Sequence, residues 1–177
     1  ELQTQSWLAT YSGDASPSFL SKLPSLMRDR WRELHFKSRE FALVSVDDSA
    51  CPSIVHGFIT VFDGSESPLR GSTRPGLHAW VDNLHVVQSH KRRGAGRALM
   101  AAAADQSLQR GFDRMRLAVL ESNQRARAFY SALGGEEVSR PSMKFVGRQV
   151  TAIEFEWCKL PELAASGGVN AIDVPAN

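Results

Sequence analysis

Val81-Asp82-Asn83-Leu84-His85-Val86-Val87-Gln88-Ser89-His90-Lys91-Arg92-Arg93-Gly94-Ala95-Gly96-Arg97-Ala98-Leu99-Met100 reads as a strand, a basic glycine turn and the first turns of a helix. Glycines at 94 and 96 let backbone amides crowd together with no Cβ between them. The helix that follows aims its positive end and its unpaired N–H groups at the same place. Such a turn is a phosphate cradle. Lys91, Arg92, Arg93 and Arg97 add side-chain charge around it, so the expected ligand is small and polyanionic, in the manner of a diphosphate. A dinucleotide fingerprint needs a third glycine where Leu99 stands, and a P-loop needs Gly-Lys-Ser/Thr; neither is present. The formal charge is only +2 and the basic residues are spread along the chain, which argues against a nucleic-acid partner.

The segment Lys91-Arg92-Arg93-Gly94-Ala95-Gly96 resembles the cofactor signature of the GNAT superfamily of acetyl-CoA-dependent N-acetyltransferases, a strand followed by Arg/Gln-x-x-Gly-x-Gly/Ala, with Lys91 in place of Arg or Gln. A second signature follows in order. Asn123-Gln124-Arg125-Ala126-Arg127-Ala128-Phe129-Tyr130-Ser131-Ala132-Leu133-Gly134 is similar to the family's Asn-x-x-Ala-x-x-Phe-Tyr-x-x-x-Gly, although Gly135 stands where an aromatic is customary. The resemblance covers roughly Trp7 to Leu160 and implies a mixed α/β fold of the α+β type. Its sheet is mostly antiparallel and splayed at the centre, with helices on both faces.

At 177 residues, with 42% hydrophobic and 23% charged, the chain suits one well-packed domain. We expect that domain over residues 1–160, with 161–177 as an aperiodic tail, disordered or borrowed by a partner. No apolar run is long enough to cross a bilayer, and Glu1 to Thr10 lack the pattern of a signal peptide, so no membrane partner is expected. Cys51 and Cys158 lie far apart without metal-ligand spacing, which points away from a zinc site or disulfide scaffold and towards a cytoplasmic setting.

Along the chain, Ser6 to Gly13 reads as the middle and exit of a helix. Because the family places a strand before this point, the first strand is expected to be missing. Ser16-Pro17 opens a helix, Pro24 interrupts it, and Ser25 caps a second one carrying Met27, Trp31 and Leu34 at helical spacing. These helices either line an acceptor pocket, as the family implies, or merely pack Trp7, Tyr11 and Trp31 on the sheet. Phe41 to Val46 and Ile54 to Phe62 read as a hairpin about a turn at 47–53, and residues 63–76 as a long mobile connection. A helix over Arg97 to Arg110 offers Leu99, Met100, Ala103 and Leu108 as its apolar face and ends at Gly111. Met115 to Leu120 is a strand, Ser122 caps the next helix, and Val150 to Trp157 alternates as a half-exposed strand with Glu154 and Glu156 on its outer face.

What the resemblance implies for the site can be stated residue by residue. Acetyl-CoA is the cosubstrate. Its diphosphate falls to Lys91, Arg92, Arg93, Gly94, Ala95, Gly96, Arg97 and Ala98, and its pantetheine arm to the backbone of Leu84, Val86 and Val87, with Asn123 and Phe129 alongside. Tyr130 matches the general acid, and its alternative is a core residue on an apolar stripe. The base has no direct match, because Trp80 stands where many members carry Glu. Asp82, two residues on, is assigned the role through water, with Glu121 as the alternative, while alternation sets His85 on the opposite face from Asp82. No metal is expected. The acceptor is a small-molecule or peptide amine, and a homodimer stays open. A non-catalytic acyl-CoA sensor that kept the cofactor site is the rival reading.

Overall fold

The computed structural model describes residues 2–11, 15–47, 53–64, 78–167 and 172–174; most of the turn expected at 47–53 and most of the connection expected at 63–76 lie outside them. In chain order the elements are α1 (Leu2–Tyr11), α2 (Pro17–Glu33), β1 (Phe41–Asp47), β2 (Ile54–Asp63), β3 (His78–Val86), α3 (Ala95–Gln109), β4 (Arg114–Leu120), α4 (Gln124–Ala132), β5 (Glu136–Ser139), β6 (Ser142–Phe145), β7 (Arg148–Trp157), α5 (Leu160–Ala165) and β8 (Ile172–Val174). The sheet runs β5-β7-β4-β3-β2-β1-β8, and β6 forms a hairpin with the outer half of β7. Among the described residues every pairing is antiparallel except β3 with β4.

That single parallel pairing positions the site. It holds for three rungs, His78↔Arg114, Ala79↔Met115 and Trp80↔Arg116, and then stops, while β3 stays paired to β2 as far as Val86 and β4 to β7 as far as Leu120. The sheet is therefore two arms that part beyond Trp80 and Arg116. A β-bulge accompanies the parting: Val61 faces Val81 but Thr60 faces Asn83, which leaves Asp82 as the extra residue on β3. The bulge re-phases the strand. Asn83 and His85, not Asp82 alone, now share the side of the sheet that α1 and α2 cover, and the alternation that separated His85 from Asp82 is corrected accordingly.

The core lies on the other side, where Leu99, Met100 and Ala103 of α3 meet Ile59, Val61, Val81 and Leu117, each under a tenth exposed. Leu108 is not part of that face: it is exposed, and the helix buries Ala104 and Ser107 instead. Burial of this kind contributes about 1.5–3 kcal/mol per large aliphatic side chain and is what fixes the register of each strand.

Four expectations of local structure are corrected. Pro24 does not divide the second helix: α2 runs through it, because Leu23 and Met27 on either side are buried and offset the cost of about 3 kcal/mol for an interior proline. Ser25 accordingly is no cap; its Oγ donates back to the Lys22 carbonyl at 2.8 Å. Ser122 is not a cap either, since the Asn123 side chain accepts from the Ala126 N–H at 3.1 Å. Finally, the region after Leu160 is ordered where it is described. Leu160 and Leu163 of α5 are buried against α3, and β8 pairs with β1 as Ala42↔Val174, Leu43↔Asp173 and Val44↔Ile172. Two leucines three apart were too short a pattern to read as a helix. The edge of β1 away from β2 is thus occupied by residues 172–174.

Candidate active site

The opening between the arms leads to the glycine turn. After β3 the chain makes a 3-10 turn over Gln88–His90 and enters α3 through Gly94, whose φ of 89° is open to glycine at little cost. Arg92 also takes a positive φ, 61°. The N-cap makes no side-chain hydrogen bond and the first helical bond runs from the Ala98 N–H to the Gly94 carbonyl at 2.9 Å, so the amides at 95, 96 and 97 carry the helix's orphan donors. Lys91, Arg92, Arg93 and Arg97 are exposed around them and form no ion pair with a described residue. The turn is pinned from behind by His90, which stacks on His56 at 4.4 Å and 13°, and by the Val87 N–H, which donates to the His56 carbonyl at 2.9 Å. Burial, followed by the neighbouring His90, lowers the pKa of His56.

Gly96 has a different reason to be glycine: a Cβ there would lie 3.3 Å from the Phe129 ring, so α4 packs directly against the start of α3. The same helix holds Tyr130, 9% exposed, against Phe155 and Trp157 at centroid distances of 5.7 and 6.0 Å. Gly135 is explained by this cluster. A Cβ on it would sit 2.6 Å from Trp157 and 3.0 Å from the Tyr130 carbonyl, and the Trp157 indole is fixed there by donating to the Leu133 carbonyl at 3.0 Å. The space beside Gly135 is filled by Trp157 of β7.

A family model described as the acetyltransferase (GNAT) family matches residues 5–134, which spans both glycine signatures and the parted strands. The chain belongs to the acetyltransferase (GNAT) family. As a GNAT protein it is an acetyl-CoA-dependent N-acyltransferase. It is 28% identical over 93% of its length, and 87% of the relative's, to the uncharacterized N-acetyltransferase YuaI of Bacillus subtilis (strain 168). It is 31% identical to the thialysine N-epsilon-acetyltransferase of Bos taurus over 68 residues, 38% of this chain and 40% of that one. Among solved structures, Arabidopsis thaliana NAA60 in complex with acetyl-CoA superposes with a TM-score of 0.56 at 21% identity, covering 81% of this chain and 94% of that one. A mutant of the spermidine N-acetyltransferase SpeG from Vibrio cholerae also gives 0.56, at 17% identity over 83% of this chain and 78% of that one.

In this GNAT domain the side of the opening away from α3 carries a polar network. Gln3 Nε2 donates to Asn83 Oδ1 at 2.7 Å, Asn83 Nδ2 donates to Thr60 Oγ1 at 3.0 Å, and the Trp31 indole donates to Gln3 Oε1 at 2.7 Å. Asp82 is held on Oδ2 by Asn83 Nδ2 at 2.6 Å and by an ion pair with Arg30, which ties α2 to the bulge. His85 Nδ1 and Ser6 Oγ share a hydrogen bond of 2.8 Å, and burial, with Lys91 and Arg30 adding positive charge, pushes the imidazole down to about 4. It is therefore neutral at pH 7. Glu121 pairs with Arg140. Beneath the parting strands, Arg116 and Glu156 form an ion pair with both side chains almost wholly buried, at 2% and 5% exposed. Burial pushes the Glu156 carboxyl up, but the Cys158 thiol and the Arg116 and Arg114 guanidiniums outweigh it, and the net pKa falls below the ordinary value. Sequence reasoning placed Glu156 on an outer face and missed this pair, since alternation gives sidedness but not depth.

Among the described residues no group of three or more His, Cys, Asp or Glu could hold a metal ion, and no helix is long and apolar enough to cross a membrane.

Proposed function

We propose that the protein transfers an acetyl group from acetyl-CoA directly to a primary amine, with both substrates held at once between the β3 and β4 arms. The observation that supports it is the end of β3–β4 pairing at Trp80 and Arg116, which leaves the inner edge of residues 81–86 without a strand partner among the described residues on the way to an amide-rich turn. When bound, acetyl-CoA supplies the activated acyl group. The orphan amides at Ala95, Gly96 and Arg97, with Ala98 behind them, and the side chains of Lys91, Arg92, Arg93 and Arg97 receive its diphosphate, and Gly94 provides the backbone turn that aims them. Leu84, Val86 and Val87 offer backbone groups to the pantetheine arm as a neighbouring strand would. Asn123 and Phe129 flank that arm from the start and the inner face of α4.

The acceptor must be neutral at nitrogen to react. Asp82 takes the ammonium proton through water; nitrogen then bonds to the acetyl carbon as the carbon–sulfur bond breaks. Tyr130 gives its hydroxyl proton to the departing sulfur and regains one from solvent. The cytoplasm is the compartment that goes with this reading.

Two measurements test it. Acetyl-CoA should raise the melting temperature well above what acetyl-pantetheine achieves, because only the former carries the diphosphate. Equal stabilisation by both would remove the cradle from the proposal. Incubation with acetyl-CoA and a panel of amines should release free thiol; binding with no release above background would make the protein a sensor on the same fold.

A further inference from the structure

One residue of β2 holds both ends of the 3-10 turn that leads towards α3. A bulge interrupts the pairing of β2 with β1: Ser45 faces Gly57 but Val46 faces Val55, which leaves His56 as the extra residue. Bulges re-aim a side chain out of the alternation of its strand, and the His56 ring lies flat against His90, at 4.4 Å and 13°. The carbonyl of the same residue accepts from the Val87 N–H at 2.9 Å, so the N-cap of the turn and its last residue both rest on His56. The turn closes through the His90 N–H, which donates to the Val87 carbonyl at 3.0 Å. Beyond it Arg92 takes a positive φ, and no side chain of residues 91–93 hydrogen-bonds to a described residue. The basic loop is therefore held at its start by His90 and at its end by α3.

This hold suits neutral rings. His56 Nε2 and Ser45 Oγ share a hydrogen bond of 2.8 Å, while Nδ1 is shut off from water and has no hydrogen-bond partner among the described residues. His90 Nδ1 shares one of 2.9 Å with Ser89 Oγ. A proton added to His56 would put a donor on an enclosed nitrogen that makes no hydrogen bond, and one on His90 as well would set two cations face to face. Burial is the largest influence on His56 and, with His90, keeps its pKa below the ordinary value, against Asp47 at the end of β1 and the Ile54 carbonyl, which both favour the cation. Lys91, Arg92 and Arg93 follow His90 directly and add positive charge on its far side in sequence.

We infer that His56 is a positioning residue for the cofactor loop and that its stack with His90 makes acetyl-CoA binding sensitive to acid: the loop is held while both rings are neutral and released when the stack is protonated. Neither histidine is asked to touch the cofactor; both act through Lys91, Arg92 and Arg93. The inference rests on the acetyl-transfer reading of the glycine turn. Linkage gives the direction. Freed from the stack, His56 takes up a proton at histidine's ordinary value of about 6.5, whereas in the stack it resists one, so acid below about pH 6.5 favours the released loop. Affinity is complete above that value and falls below it.

Calorimetric titration of the full chain with acetyl-CoA at pH 7.5 and 5.5 tests this, each protein being kept well below its melting temperature. The wild-type dissociation constant should rise by about three- to tenfold at pH 5.5, since one linked proton is worth at most about tenfold per pH unit. At pH 6 binding should release more protons from wild type than from His56→Phe, read from heats in buffers of different ionisation enthalpy. His56→Phe keeps a ring beneath His90 and the carbonyl for Val87 but loses the titrating nitrogens, so its ratio of constants at the two pH values should fall towards one. Titration of the ligand's own phosphate is common to both proteins and subtracts out. His90→Ala removes the stack and should weaken binding at pH 7.5 by about threefold or more, and His90→Phe should recover most of that loss. If His56→Phe melts too low to titrate, His90→Phe takes its place and should show a smaller pH ratio than wild type. A wild-type constant unchanged or tighter at pH 5.5, a ratio in the phenylalanine variant equal to the wild type's, or wild-type affinity in His90→Ala would each overturn the inference. Tight binding by the wild type at pH 7.5 in those same samples would leave the acetyl-transfer reading standing; no binding there would overturn both and mark the failure as that reading's own.

Discussion

Glu156→Gln changes one atom in the side chain and removes the charge that Arg116 is buried with. Both partners are nearly inaccessible, and Arg114 approaches the same carboxylate at 4.0 Å, so the variant leaves one guanidinium uncompensated in the interior and weakens the hold on a second. Removing one partner of a buried pair costs about 3–5 kcal/mol, and because glutamine keeps a carbonyl that one Arg116 N–H can still use, the lower end applies, roughly 3 kcal/mol. For a chain of this size that is a fall in melting temperature of roughly 6–12 °C. The effect should depend on pH in a definite direction. The folded-state pKa of Glu156 lies below its unfolded value, so its contribution is complete above the unfolded pKa and disappears as pH drops through the folded one. Urea unfolding of both proteins at pH 7 and at steps down to pH 3 should therefore show a gap that closes in acid. Replacing the pair together, Arg116→Met with Glu156→Leu, should restore most of the loss, since no unpaired charge remains. A loss under about 1 kcal/mol at pH 7, or a gap that stays constant into acid, would show that the pair is not buried in the way described.

Tyr130→Phe keeps the ring among Phe155 and Trp157, so stability and acetyl-CoA binding should hold while turnover falls by about 10²-fold; wild-type rates where chemistry is limiting would assign the proton to solvent. The two cradle glycines should separate by thermal melting. Gly94→Ala pays about 1–2 kcal/mol for a left-handed backbone despite open space around it, whereas Gly96→Ala has only the 3.3 Å approach of Phe129 to absorb and should cost less; the reverse order would contradict the geometry. Ending the chain after Lys159 removes Leu160 and Leu163 from the face of α3 and should destabilise by about 3–6 kcal/mol, read by urea titration, with an unchanged midpoint refuting the packing of α5.

The glycine turn and the helix that follows it were legible because their signals are backbone signals. Glycine at 94 and 96 beside a basic run constrains what a loop can be, whereas the start of α4 was set one residue early, because Ser122 and Asn123 are both good caps and only the bond to Ala126 N–H separates them. The bulge at Asp82 was not legible, because nothing about Val-Asp-Asn distinguishes an alternating strand from one with an extra residue; the extra residue is set by the register that β2 imposes. That single slip moved His85 to the side of Asp82. Pro24 misled for the opposite reason, a strong local rule overridden by the burial of Leu23 and Met27. The short strands β5 and β6 fell below any periodicity, and Val146-Gly147 between Phe145 and Arg148 gave no hairpin signal, because a β-branched valine rarely takes the positive φ that this turn requires.

The pairing of Val44 with Ile172 bears on how this chain reaches its native state on the ribosome. β1, with Phe41, Ala42 and Leu43 destined for burial, is synthesised well before β8, the strand that closes its outer edge. Until then β1 presents an open ladder of N–H and C=O groups to any other nascent chain, and contacts so distant in sequence form slowly. The period between translation of β1 and docking of β8 is thus the one in which this protein is most prone to aggregate, and slowing translation after Leu160 should lengthen it.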